Sequence, residues 1–471
     1  MNSTREDQTL SSREDQTLSS PRQHHWFVVL ILSCAALSLT RSPCWATDDG
    51  SLTLTPGIAV SLAMEHNESI RMAHSDVAAA SARVRESRAE GLPDVAARFD
   101  YTRNWLLPSI LFNDTAVKIG SDNELSGLLR LSQPLYTGGL VQGSLLAARS
   151  RVAVGRETER QLRHSIAAQV ETILYDCLLA AELARVRRLA LERARSNQHQ
   201  VHALRQAGRA TRFEWTRAGV QVAAAQSDSI ESANDLALSI IDLKEAIGLD
   251  LSHSITVGAG FRDTTHLSLV EGVEGLVQAA LRQRPERQQL QSLSQGHEGE
   301  ERVARSGMRP RLDLVAVGQM QFQEDSFSGV GDGDDWRRSW STGLTIEVPL
   351  FDGMRSRARV AQAQEARRRV QLDAERLDRA IEREVRRAWM DVDEAGQRLH
   401  ARQGSVEQSR LGLDDAEARY RTGAGTQLEV LDAQLSLLQA ESEHARALRD
   451  RAVALVELER AVGVLGENGS D

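Results

Sequence analysis

Lysine is almost missing from this chain: of 57 basic residues only Lys118 and Lys244 are lysines. The arginines are interleaved with 66 acidic residues, giving a formal net charge of −9 over 471 residues. A nucleic-acid partner calls for a basic stripe standing clear of carboxylates, and none occurs. Aromatics are equally sparse, at 4% against 26% charged residues. Together with long runs of Ala, Leu, Arg, Glu and Gln, that scarcity suits long helices better than compact cores. Cysteine excludes a disulfide framework, because Cys34 and Cys44 lie in an N-terminal leader and only Cys177 is left. No Ser, Cys or His constellation suits nucleophilic or acid–base chemistry, so no catalytic residue is assigned and the chain is not read as an enzyme.

Proline is the most informative scarcity. There are 9 prolines, and none lies between 135 and 284 or between 350 and 471. Both stretches are therefore free of the strongest helix breaker. In the second, Val370, Ala374, Leu377, Ile381, Val385, Ala388, Val392, Ala395 and Leu399 recur at steps of three or four residues. That is the seam of a coiled coil.

The leader is read as a signal peptide over 1–46. A short apolar core, "WFVVLILSCAALSL", precedes a small residue, Ala46, at a cleavage position. Lipidation at Cys34 is the rival processing. The acidic octapeptide "REDQTLSS", present at 5–12 and again at 13–20, is left out of the fold reading.

The remainder is one unit used twice. "QPLYTGG" (133–139) and "VPLFDGM" (348–354) lie 215 residues apart, and the same offset holds without a gap for over a hundred residues. It pairs Val170 with Val385, Asp176 with Asp391, Gly208 with Gly423, Thr211 with Thr426, Glu214 with Glu429, and Gly248 with Gly463. The repeats are placed at 47–250 and 269–465, with a linker at 251–268 and a tail at 466–471. Each is expected to contain a first helix (about 54–91 and about 269–307) and two strands. The strands are expected near 94–104 and 124–135, and near 311–323 and 340–350. A helix of roughly 65–70 residues follows, about 100 Å long, then a glycine turn and a helix of roughly 38 residues.

The strands alternate. Val95, Phe99 and Tyr101 oppose Arg98 and Asp100; Leu125, Leu129 and Leu131 oppose Ser126, Arg130 and Ser132. Leu312, Leu314, Ala316, Met320 and Phe322 oppose Arg311, Asp313, Gln319 and Gln321, while Leu344, Ile346 and Val348 oppose Thr345 and Glu347. A sheet lying on a soluble core gives the same alternation. A membrane face is favoured by strand length and by the aromatics Trp105, Trp336 and Trp340 at the loop side and Tyr136 and Phe351 at the exit, placed as a girdle. Four strands cannot close a barrel, and an open edge cannot face lipid, so the strands must be shared between chains. Two copies leave no channel, whereas three give twelve strands around a lumen.

The duplicated turn reads G-x-x-T-x-x-E. Thr211 with Glu214, and Thr426 with Glu429, each fit a capping box. Asp432 lies one turn inside the helix, where a cap does not need it, and its counterpart in the first repeat is Arg217. His199 and His202 are too few for a metal site, and the acidic loop at 324–336 lacks the calcium ligand pattern, so no metal or cofactor is assigned.

With "YRTGAGTQLEVLDAQ" (420–434) and the "PL(Y/F)xG" exits, the chain resembles the TolC-type outer-membrane efflux protein family over roughly 52–465. The resemblance implies a mainly α fold with a membrane β-barrel. Long coiled-coil helices would form a periplasmic α-barrel, and four strands per protomer would join a shared 12-stranded barrel of a homotrimer. It implies an outer-membrane channel of a tripartite efflux or type I secretion system: a passive exit duct without cofactor or catalysis, docking a periplasmic adaptor and an inner-membrane pump. Carried over by motif, Gly208, Thr211, Gly423, Gly425 and Thr426 fall at the periplasmic tip where the adaptor docks. Glu429 and Asp432 fall at the pore constriction, and Arg212, Arg217 and Tyr420 become candidates for links that hold the closed state. The competing reading is a soluble periplasmic coiled-coil scaffold.

Overall fold

A computed structural model describes residues 52–112, 115–258, 260–262, 272–325 and 336–465. The leader with Cys34 and Ala46, the tail at 466–471, part of the linker and most of the acidic loop lie outside the described residues.

In chain order the elements are β1 (Leu52–Leu54), α1 (Pro56–His66), α2 (Glu68–Ala89), β2 (Asp94–Arg103), β3 (Ser109–Phe112), β4 (Thr115–Lys118), β5 (Asn123–Tyr136), α3 (Leu140–Gln206) and α4 (Arg212–Ile247). After β6 (Ile255–Val257) in the linker, the second repeat follows with α5 (Gly272–Gln283), α6 (Pro285–Ser306), β7 (Arg311–Glu324), β8 (Arg337–Glu347), α7 (Arg355–Thr422) and α8 (Gln427–Val462).

Three departures from the sequence expectation have local causes. The helix expected over 54–91 is two helices, because Asn67 adopts ψ 125°. Its Oδ1 then accepts from the Ser69 amide at 2.9 Å and caps α2. The helix expected over 269–307 breaks at Arg284, forced out of helical dihedrals by Pro285. The strand expected over 340–350 runs from Arg337 to Glu347, stopping before Pro349, so Trp340 is an interior strand residue rather than a loop-end one. Two small pairs were not expected: the β3–β4 hairpin, and a parallel pairing of Leu52–Leu54 with Ile255–Val257.

The two long helices, of 67 and 68 residues, reach about 100 Å each. Nearer the sheet, α2, α3, α6 and α7 lie side by side; nearer the far end, α4, α3, α8 and α7 do. The predicted seam residues of α7 are all buried or half-buried. Apolar packing concentrates at nodes. One gathers Ala59, Leu174, Tyr175, Leu243, Ile247 and Val456 around the middle of α3, and another gathers Val201, Ala218, Tyr420, Val430 and Leu437 near the tip. No described helix is long and apolar enough to cross a membrane.

All four long strands form one antiparallel sheet in the order β2–β5–β7–β8. Opposed residues of antiparallel strands share a face, so the register can be read as rungs. Val95, Leu131 and Ala316 form one rung; Ala97, Leu129, Gly318 and Trp340 the next; then Phe99, Gly127, Met320 and Arg338; then Tyr101, Leu125 and Phe322. The opposite face carries Arg98, Gln319 and Ser339, then Asp100, Ser126, Gln321 and Arg337. The helices attach at one end of the sheet, and Arg103, Asn123, Glu324 and Arg337 lie at the other.

Candidate functional site: the helix tip and the apolar sheet

At the tip each long helix ends in a left-handed glycine, Gly208 at φ 75° and Gly423 at φ 83°. Around the first, the Arg209 amide donates to the Leu204 carbonyl at 2.8 Å and the Gly208 amide to Arg205 at 3.0 Å. Around the second, Ala424 donates to Arg419 at 2.9 Å and Gly423 to Tyr420 at 3.1 Å, and Gly425 also donates to Arg419 at 3.1 Å. Both turns are Schellman motifs, which satisfy the last carbonyls and reverse the chain.

The next helix starts on a threonine in both copies, but the caps differ. The Thr211 hydroxyl accepts from the Glu214 amide at 3.2 Å while Glu214 Oε2 accepts from the Thr211 amide at 2.6 Å, a complete capping box. In the second copy the Thr426 hydroxyl accepts from the Glu429 amide at 3.3 Å and donates to Glu429 Oε1 at 3.1 Å. Glu429 is exposed, and so is Asp432, three residues on along the same face.

Tyr420 is buried in the tip cluster and its hydroxyl has no hydrogen-bond partner. Burial, and then the charge of Glu214, raise its pKa above the ordinary tyrosine value. Arg212 is exposed and Arg217 half-buried, and neither makes an ion pair with a described residue of its own chain. His199 and His202 are both exposed. His202 sits 3.0 Å from Gln206 Nε2 and beside the Trp215 ring, and Arg205 stacks on that same ring at 4.9 Å.

One contact had no sequence signal of its own. Gln427, 3% exposed, donates through Nε2 to the Glu214 carbonyl at 3.0 Å and so ties one hairpin to the other. Its counterpart in the first repeat is the exposed Arg212, so comparing the repeats position by position would have pointed to it.

At the sheet, the apolar face is bare. Phe99 is 78% exposed and Trp340 83%, and no described helix packs across either face. Gly127 lets neighbours close over it, since a Cβ there would lie 2.8 Å from Met320 Cγ and 3.1 Å from Phe99 Cε1. The resulting groove, of about 460 Å³, is lined by Phe99, Leu129, Gly318, Met320 and Trp340 among others. Trp336 packs on the buried Phe322 at 5.5 Å, and Arg103 stacks on the exposed Trp105 at 4.5 Å. Tyr136 and Phe351, at the helix-side ends, are exposed. Among the described residues no cluster of three or more His, Cys, Asp or Glu could hold a metal.

Comparison with known proteins agrees with this geometry. The outer membrane efflux protein family matches residues 59–249 and 276–464, one stretch per repeat. The chain is 28% identical over 411 residues to the pyoverdine export outer membrane protein OpmQ of Pseudomonas putida, covering 82% of this chain and 83% of the relative. It is 27% identical over 412 residues to the outer membrane protein OprJ of Pseudomonas aeruginosa, covering 86% and 83%. Among solved structures it superposes on CusC with a TM-score of 0.73 at 20% identity, covering 88% of this chain and 93% of that one. On the open-state MtrE outer membrane channel of Neisseria gonorrhoeae the TM-score is 0.72 at 19% identity, covering 88% and 91%.

Proposed function

The chain belongs to the outer membrane efflux protein family, and from that premise we propose that three copies close into one duct, with a twelve-stranded barrel in the outer membrane and a helical tube beneath it. It is a passive outer-membrane channel rather than an enzyme. The observation that carries the trimer is the sheet: four strands whose two edges find no partner, and whose apolar face finds no cover, among the described residues. In lipid every strand edge must find a partner, and only another copy offers one.

In this reading the tip faces the periplasm. The turns around Gly208, Thr211, Gly423, Gly425 and Thr426 receive a periplasmic adaptor that joins the duct to an inner-membrane pump. Glu429 and Asp432, exposed on one helix face, line the constriction and repel across the axis. Arg212 and Arg217, unpaired within their own chain, reach carboxylates of a neighbouring copy and hold the tip shut, with the buried Tyr420 packed behind them. Trp105, Tyr136, Trp336 and Phe351 mark the two edges of the lipid layer, while Trp340 stands between them on the apolar face. A soluble scaffold would leave the apolar face of the sheet, with Phe99 and Trp340 exposed, in contact with water.

Membrane fractionation followed by electrophoresis of unheated samples tests the assembly. A trimer-sized band in the outer-membrane fraction is expected, and a monomer in the periplasmic extract would remove the proposal.

A further inference from the structure

The polar face of the sheet, which lines the lumen if the proposed duct is correct, has an uneven distribution of charge. At the helix end stand Asp94, Asp313, Glu347 and Arg311, with Arg311 paired to Asp313 at 2.7 Å. At the loop end stand Arg337 and Glu124, and Glu124 accepts from Gln321 at 2.5 Å and Gln323 at 3.1 Å. Between them, Arg98 is neutralised by Asp100 at 2.8 Å. The exposed side chains of Arg337 and Arg130 make no hydrogen bond or ion pair with any described residue, but only Arg130 stands at mid-sheet, away from the loop-end mouth.

Its surroundings sharpen the effect of that charge. The rung of Arg130 holds Ala96, Val317 and Ser341, and the flanking rungs bring Leu128 and Val315 with the neutral Ser132, Gln319 and Ser339 and the already paired Arg98. By register the nearest carboxylate is Asp94, one rung toward the helices on the diagonal, a separation of about 7–8 Å. Its neighbours are aliphatic or neutral polar side chains and no carboxylate pairs with it, so the field of the cation reaches into the lumen instead of being cancelled beside it. A guanidinium also offers a planar fork that fits carboxylate and phosphate in two-point contact.

We infer that Arg130 sets the selectivity of the exit barrel: repeated in each copy, it forms a cationic belt that favours solutes bearing carboxylate or phosphate groups. This rests on the duct reading above. It also makes the two ends of the passage opposite in sign, with acidic groups at the tip and a basic belt at the exit.

The test uses the full-length protein in planar lipid bilayers, with reversal potentials in a KCl gradient and tripolyphosphate added on the loop side. Arg130→Gln should lower the anion-to-cation permeability ratio about twofold or more and weaken tripolyphosphate block about tenfold. Arg337→Gln, opposite Gln321 at the wider outer mouth, should change both much less than Arg130→Gln does. Arg130→Lys should keep the ion preference but lose part of the block, since an ammonium lacks the fork. An Arg130→Gln channel with unaltered permeability and block overturns the inference, whereas a wild-type protein with no conductance overturns the duct reading itself. If Arg130→Gln does not assemble, wild-type channels that tripolyphosphate fails to block at low salt overturn the inference equally.

Discussion

At the scale of single residues, the informative positions are those where the two repeats disagree. Asp432 stands where the first copy has Arg217, and Gln427 where it has Arg212. Replacing Glu429 and Asp432 together with alanine should raise single-channel conductance in planar bilayers, because repulsion and crowding at the constriction are removed together. Unchanged conductance would show that the ring lies elsewhere. A second disagreement is conformational: α3 starts on Gly139 at φ 99°, while α7 starts on Met354 at φ 67°, the one non-glycine with positive φ among the described residues. A side chain there costs about 1 kcal/mol relative to glycine, so Met354→Gly should leave the melting temperature equal or slightly higher. A clear drop would mean that the thioether contact with Arg357 matters more than the backbone. Turns and caps at the tip were legible in the sequence because a glycine and a threonine fix their own neighbours. The Gln427 bond and the Trp215 stack were not, since they depend on which helix faces meet.

At the scale of elements, periodicity revealed the long helices and alternation revealed the four strands, both being properties of one segment alone. The break at Asn67 was missed because asparagine at a helix junction competes with helix only when its side chain caps the next turn. The pairing of β1 with β6 was missed because each contributes three residues, too few for a period to show. That pairing brings Arg262 to a buried site between α3 and α8, where it bonds Glu459 and lies 3.4 Å from Glu171. Burial, opposed by Arg262 and reinforced by Glu459, pushes the Glu171 carboxyl from its ordinary 4.5 up to about 7. A carboxyl that titrates higher when folded holds extra protons in the folded state. Its stabilising effect is therefore complete below the unfolded value and is lost as pH rises through about 7. The melting temperature of the wild type, followed by helical circular dichroism, should fall relative to Glu171→Gln between about pH 5 and about pH 8. Parallel curves for the two proteins would show that the site is solvated.

At the scale of the whole molecule, the sheet sets the constraints. An arginine at Leu129, in the middle of the apolar face, should cost about 2–4 kcal/mol per chain in lipid. The proposed trimer with Leu129→Arg should therefore be depleted in outer-membrane fractions. The same change at Ser126, on the opposite face, should be tolerated, and equal loss for both would argue against a lipid-facing surface. The arrangement of the edges carries a further consequence. β2 leaves the helices and β8 returns to them, so a joint between neighbouring copies always sets one strand of each kind antiparallel, and never two of the same kind. Such a head-to-tail joint has no two-fold form. A pair of copies would still present two raw edges to the bilayer, as a single copy does. Membrane entry and ring closure must then coincide, so partially built rings should be found in the periplasm or degraded, not waiting in the membrane.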